Sequence, residues 1–296
     1  MKYRILILLV FPTLCAFGQP LKELYQETVE LKDTALQMKI LTGWEEMRPS
    51  DPQLCLIQAD RYFKMSRHKK AKVDSLPYIG IRANLLDDTS PRSKPLYYPV
   101  KYEYEAAPFI TALDYLSRGI AANPDHIDLR LKKIAFLQVF RSSSITNEML
   151  DLIERAKINK NVWLVEDSTP WDAHDTLLPF LQRTSRQIFT TGIVGHEAVR
   201  QIALGMLELY PNHHQSLVDV GRSYYLSQDF ETALKYFLRA EQVMPHSLQA
   251  IGYSALCYYY LGKHADAVTY FYKFKEFGDE DDRLFADARI LELSSK

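Results

Sequence analysis

Apolar positions recur along this chain at steps of three and four, the period of a helix with one buried stripe. Leu21, Leu24, Thr28, Leu31, Ala35 and Met38 form the first such stripe. It predicts a helix from Pro20 that continues through Trp44 towards Pro49. Asp51-Pro52 predicts the next start, with aspartate as N-cap and proline at the first helical position, and that helix carries Leu54, Ile57 and Tyr62. The pattern lapses from Arg67 to about Lys101, where Pro77, Gly80, Pro91, Pro95 and Pro99 surround the run Asp87-Asp88-Thr89-Ser90-Pro91, a loop signal. We read 67–104 as an insertion between the two helices of one pair, with Leu76 to Leu86 as a candidate short helix or strand within it. Long loops are as often functional as disordered, and the sequence leaves both open. Helical spacing resumes with Ala106, Phe109, Leu113, Leu116 and Ile120, and stops at Asn123-Pro124. Ile127, Leu131, Ile134 and Ala135 mark the next helix, and Met149, Leu152, Ile153 and Ala156 its partner. A loop is expected from Asn159 to Trp171, followed by a helix carrying Leu177, Leu181, Thr184 and Ile188.

From His214 to Asp279 the pattern repeats itself with a period of 34 residues: Tyr224 recurs as Tyr258, Ala233 as Ala267 and Phe237 as Phe271. One period upstream, Val199, Ala203, Met206 and Pro211 foreshadow Ala233, Phe237, Ala240 and Pro245. The best copy reads Leu217-x2-Val220-Gly221-x2-Tyr224, Ala233-x3-Phe237-x2-Ala240, Pro245. This resembles the tetratricopeptide repeat (TPR), with Leu217 where that family usually carries an aromatic residue. The resemblance implies two short antiparallel helices per repeat, which touch at small residues such as Gly221, Ala233, Ala255 and Ala267. One such pair cannot bury its apolar face alone, so neighbours stack on a shared core. The expected fold is therefore all-α: an α-solenoid, a right-handed superhelix of TPR-like helix pairs with a loop-rich insertion. Clear repeats are expected at 180–213, 214–247 and 248–281, and degenerate ones at 20–66 and 105–160. A capping helix over 281–293, with Leu284, Ala288 and Leu291 on one face, is expected to close the single superhelical domain 19–296.

Composition adds an address. Lys2 and Arg4 precede an apolar run from Ile5 to Phe11, then Ala16-Phe17-Gly18, the plan of a secretory signal peptide over 1–18 cleaved after Gly18. The run is too short to span a bilayer, which takes about 20 residues. Leu14 before Cys15 stands where a lipoprotein signal carries a small residue, which speaks against lipidation. The layout resembles exported bacterial TPR proteins of unassigned function, which implies a periplasmic or secreted protein and no activity. Losing Lys2 and Arg4 leaves 34 basic against 37 acidic side chains, and no basic stripe of the kind a nucleic-acid binder carries. No other segment is long and apolar enough to span a membrane. Cys55 and Cys257 sit in helical apolar patterns and read as small buried hydrophobes.

Catalytic patterns are missing. His196-Glu197 lacks the second ligand of a zinc-protease helix, because Arg200 stands four residues on. His213-His214 point apart in a turn, and His174-Asp175 reads as a helix-entry pair. No phosphate loop, nucleophile elbow or paired-cysteine spacing is present. No enzyme, cofactor or metal is expected. The run Arg67, His68, Lys69, Lys70 and Lys72 reads as a solvated helix end, with an acidic partner or anionic headgroups as the other reading.

The TPR resemblance implies a concave groove lined by the first helix of each repeat, which usually receives a peptide. By repeat position the groove residues are Gln215, Val218, Arg222 and Tyr225 in one copy, and Gln249, Leu256, Tyr259 and Tyr260 in the next. The family's lysine/asparagine clamp for a terminal carboxylate is not reproduced, since Val218 and Arg222 stand at two of its positions. The expectation is a non-catalytic interaction scaffold that binds a protein or peptide, with 67–104 and 159–171 as secondary contacts. Two rivals stand beside it: a glycan-binding module using Tyr97, Tyr98, Tyr225, Tyr259, Tyr260 and Trp171, and a hydrolase whose residues lie in the insertion.

Overall fold

A computed structural model describes residues 21–70, 101–165, 169–190, 192 and 194–294. The leader read over 1–18 and the candidate element at 76–86 lie outside them. The described residues form thirteen helices and two short antiparallel ladders. The fold is all-α and TPR-like, with consecutive helices packed pairwise. The chain divides into two compact units, Met1–Gly119 and Ile120–Lys296.

The first unit contains α1 (Leu21–Glu30), α2 (Thr34–Met47), α3 (Pro52–Ser66), strands β1 (Arg67–Lys70) and β2 (Lys101–Tyr104), and most of α4 (Ala106–Ala122). The single helix expected from Pro20 to Pro49 is broken. Lys32 adopts a left-handed φ of 54°, and Asp33 caps a new helix by accepting the Leu36 N–H at 3.1 Å. Apolar spacing runs unbroken through 31–35, but an aspartate that can satisfy a free N–H competes with helix continuation. Leu31 and Met38 are consequently exposed, while Ile40, Leu41 and Trp44 are buried. Asp51 and Pro52 open α3 as expected, with Asp51 accepting the Gln53 N–H at 2.9 Å. Of the basic run only Arg67 stands at the helix end, as the C-cap residue, and Lys72 lies outside the described residues. Helix α3 stops at Ser66, and Arg67–Lys70 pairs with Lys101–Tyr104, Arg67 facing Tyr104 and His68 facing Glu103.

The second unit begins at the end of α4 and continues with α5 (Ile127–Val139), α6 (Ile145–Ile158), strands β3 (Val162–Val165) and β4 (Thr169–Asp172), α7 (His174–Thr190) and α8 (His196–Leu209). It ends with α9 (His214–Leu226), α10 (Phe230–Val243), α11 (Leu248–Tyr260), α12 (His264–Phe277) and α13 (Glu280–Ser294). The stretch expected to be a loop at 159–171 is largely the β3–β4 hairpin, with Trp163 opposite Trp171. Trp163 is fully buried and donates Nε1–H to Asn161 Oδ1 at 3.1 Å, while Trp171 is half-buried. Asn161 in turn donates to Tyr210 Oη at 2.7 Å, and Leu164 N–H binds the Asp125 carbonyl at 2.8 Å. A buried indole with a satisfied N–H fixes a hairpin where turn composition alone suggests irregular chain.

The 34-residue repeat is visible as packing. Gly221 of α9 and Phe237 of α10 meet so closely that a methyl at Gly221 would lie 2.7 Å from the ring. Ala233, Phe237 and Ala240 are fully buried in one core with Leu217, Val218 and Val220. One period on, Ala255, Ala267 and Phe271 share the next core with Ala286, Ile290 and Leu293 of α13. Upstream, Gly205 of α8 packs on Ile153 of α6, so α8 leans on α6 as well as on α7.

Two faces differ from expectation. In α13 the buried stripe is Ala286, Ile290 and Leu293, whereas Leu284 and Leu291 are 63% and 72% exposed. Both stripes fit helical spacing because apolar residues nearly encircle α13, so periodicity cannot choose between them. In α5, Ala135 is exposed while Leu129, Phe136 and Leu137 are buried.

Candidate binding site

In α9, Gln215, Asp219, Arg222 and Leu226 follow one another at helical spacing and therefore share one stripe. That stripe forms a wall of a cavity of about 270 Å³. Helix α7 contributes Ser185, Arg186, Phe189 and Thr190, α8 contributes His196 and Val199, and α11 contributes Gln249. The helices are held in register around it by polar ties. Ser223 donates its hydroxyl to the His196 carbonyl at 2.9 Å, joining α9 to the start of α8. His213 Nδ1 caps α9 by accepting the Ser216 N–H at 3.3 Å. His214 Nε2 lies 2.7 Å from the hydroxyl of Ser247, itself the N-cap of α11. Burial pushes both histidines below the ordinary imidazole range, and for His213 the neighbouring His214 adds to it.

The charges in the cavity come close without fully pairing. Gln215 Nε2 donates to Asp219 Oδ1 at 3.0 Å. Arg222 Nη1 stands 3.9 Å from the same oxygen, beyond hydrogen-bond reach. Arg186 acts on Asp219 only through space. Burial raises the Asp219 carboxyl above its usual range, and Gln215 and the two arginines only partly offset this. Losing water costs a carboxylate more here than two distant guanidiniums return.

The structure thus brings Gln215, Arg222 and Gln249 of the expected groove into one cavity. Val218 does not join them; it is fully buried in the core, because the stripe next to Gln215 and Arg222 faces the partner helix. Tyr225, Leu256, Tyr259 and Tyr260 lie outside the cavity lining. Tyr225 packs edge-on against Phe230 and Tyr253, with ring centroids 5.5 and 5.3 Å away. Leu256 is half-buried against the core that contains Ala255 and Phe271. Tyr259 donates its hydroxyl to Glu292 of α13 at 2.5 Å and lies under Arg289. Tyr260 is 52% exposed and stacks on Phe230 at 4.7 Å. Sequence reasoning missed Asp219 and Arg186. Asp219 was within reach, four residues after Gln215 on the same face. Arg186 belongs to α7, which lies outside the two copies where the period is exact.

Among the described residues no group of histidine, cysteine and acidic side chains is arranged to hold a metal, and no helix is long and apolar enough to cross a membrane. Cys55 and Cys257 are free and fully buried, and burial pushes the Cys257 thiol up to about 12.

No family model matches the chain, and no curated protein matches it. Among solved structures it is similar to one titled "Crystal structure of MamA", at 14% identity over 57% of this chain and 88% of that one, with a TM-score of 0.37. It is also similar to the TPR domain of P58(IPK), at 10% identity over 93% of this chain and 64% of that one, with a TM-score of 0.35. Likeness this loose carries nothing beyond the helical packing already described.

Proposed function

We propose that this protein is a non-catalytic scaffold that binds a protein or peptide against the faces of α9 and α11. One observation carries the reading: Gln215, Arg222 and Gln249, chosen by repeat position, line a single cavity. A preformed concave site spares a bound peptide part of the ordering cost of association. Amide and guanidinium donors there suit the backbone and side chains of an extended segment. The scaffold would act in the bacterial cell envelope after cleavage following Gly18, with the insertion at 67–104 as a secondary contact. Affinity capture from an envelope extract tests the binding, with the wild-type chain and a variant carrying Arg222→Gln and Gln249→Ala as parallel baits. A protein retained by the first and lost by the second, with helicity unchanged by circular dichroism, is the expected result. Equal capture by both would remove α9 and α11 from the role. Amino-terminal sequencing of the exported protein is expected to start at Gln19.

A second reading has one observation in its favour. Tyr260 presents a half-exposed ring braced by Phe230, a platform on which a sugar could stack. Retardation by soluble polysaccharide in an affinity gel, abolished by Tyr260→Ala, would favour it over the peptide groove.

A further inference from the structure

We infer that the cavity walled by α7, α8 and α9 takes an acidic side chain of the bound peptide, its carboxylate held between Arg186 and Arg222. The inference rests on the reading of this face as a peptide site and names the chemistry that the site selects. Two guanidiniums from different helices line one cavity, and neither has its donors filled by the acid between them. Arg222 stands 3.9 Å from Asp219 Oδ1, an oxygen already taken by Gln215 at 3.0 Å. Arg186 has no hydrogen bond to Asp219, only its field. Guanidinium forks of this kind match the two oxygens of a carboxylate. Phe189, Val199 and Leu226 supply apolar wall for the methylenes of the incoming side chain.

Asp219 decides which anion fits. A phosphate would bring close to two negative charges at neutral pH next to a carboxylate that Gln215 holds in the cavity. A carboxylate brings one, and Asp219 can cancel it by taking a proton, which burial already favours. Binding therefore takes up protons and strengthens as the pH falls. The charged or titratable groups facing Asp219 are Arg186 from α7, His196 from α8 and Arg222 from α9, while α11 offers the uncharged Gln249. Because His196 lines the same cavity, the Asp219→Asn variant is needed to separate the contribution of Asp219 from that of His196.

The test uses the full chain and synthetic nonapeptides, acetylated and amidated, that share one apolar frame and differ centrally as glutamate, glutamine, lysine or phosphoserine. A glutamine peptide with a free carboxyl terminus completes the set. Fluorescence anisotropy is expected to show the glutamate peptide binding at least about tenfold more tightly than the glutamine one. Arg186→Gln and Arg222→Gln should each remove about that factor, the worth of one charge-assisted hydrogen bond. Asp219→Asn should abolish the gain between pH 7.5 and 5.5 while glutamate selection persists. Arg186 is exposed, so its substitution reads the site without threatening the fold. If glutamine or lysine peptides bind as well as glutamate, the acidic preference falls while the groove stands. Glutamate binding indifferent to both arginine variants also overturns the inference. Preference for phosphoserine, or for the free terminus, overturns the assignment to an acidic side chain. If no peptide in the set binds, this inference and the groove fall together.

Discussion

The α9–α12 repeats and the α1–α4 unit are both built of short helices, yet they cohere by different means. In the repeats a small residue on one helix meets a ring on the next, Gly221 with Phe237 and Ala255 beside Phe271, and the arrangement recurs every 34 residues. In the first unit the joint between α2, α3 and α4 has a polar centre. Glu45 accepts the Tyr115 hydroxyl at 3.0 and 2.9 Å and Arg118 Nη2 at 2.8 Å, and Gln58 reaches it at 3.4 Å. Close packing leaves a periodic trace in a sequence because every copy needs the same volumes. A hydrogen-bond network leaves none, since its members are single residues scattered over 70 positions of chain.

Breaking the repeat joint should have the largest effect. Phe237→Ala removes a fully buried ring and is expected to cost about 3–5 kcal/mol, read as a fall in the urea midpoint of the second unit. Gly221→Ala sharpens the same point with the opposite fault, since its methyl would meet the Phe237 ring at 2.7 Å. Overpacking of this kind costs roughly 1–3 kcal/mol. A loss below about 0.5 kcal/mol for Gly221→Ala would mean that the ring can move aside.

The polar joint should respond less to substitution and more to pH. Glu45→Ala strands the Tyr115 hydroxyl and should cost about 1–3 kcal/mol. Burial, then the bond to Glu45, raises the Tyr115 phenol from 10.0 to about 12. A raised folded-state value means stability is intact below pH 10 and is lost as pH rises through 12. Burial also raises the phenols of Tyr225, Tyr258 and Tyr270. Several tyrosines should therefore ionise late at 295 nm, and Tyr115→Phe should reduce the amplitude of that late step by one tyrosine.

The histidine ties between repeats titrate at the other end. His213 and His214 are depressed in the folded state, so their contribution is present above pH 6.5 and is lost as pH falls through the folded values. Melting temperature should drop between pH 7 and 5. His213→Asn, which keeps a capping oxygen, should soften that drop at a cost of about 1 kcal/mol or less. The smallest change is expected for Tyr260→Ala, within about 0.5 kcal/mol, because the ring is half in water.

Legibility follows the same division. The period located α9 to α12 from the recurrence of Ala233, Phe237, Ala267 and Phe271, and three of the residues chosen by repeat position, Gln215, Arg222 and Gln249, line one cavity. It misplaced Val218, because the step of one residue from Asp219 rotates a side chain by about 100° round the helix, from the lining stripe to the core stripe. The break at Lys32 went unread, since a left-handed residue and an aspartate cap interrupt a helix without interrupting its apolar spacing. The β3–β4 hairpin was hidden for a related reason: Trp163 is held by Asn161, a contact with no periodic signature. Arg186 was missed because groove positions were assigned only in the 214–247 and 248–281 copies, and α7 belongs to the copy before them.

The close contact at Gly221 also governs how this chain could be recombined. The α9/α10 pair leaves no room for a methyl where the α11/α12 pair already carries one, on Ala255. Joining α9 to α12 would leave a gap, and joining α11 to α10 would press that methyl into the Phe237 ring. The two copies look interchangeable when aligned, yet neither helix can be traded without its mate. Duplication, shuffling or design on this scaffold must therefore move helix pairs whole, cutting at Pro211-Asn212 or Pro245-His246 rather than between a small residue and its ring.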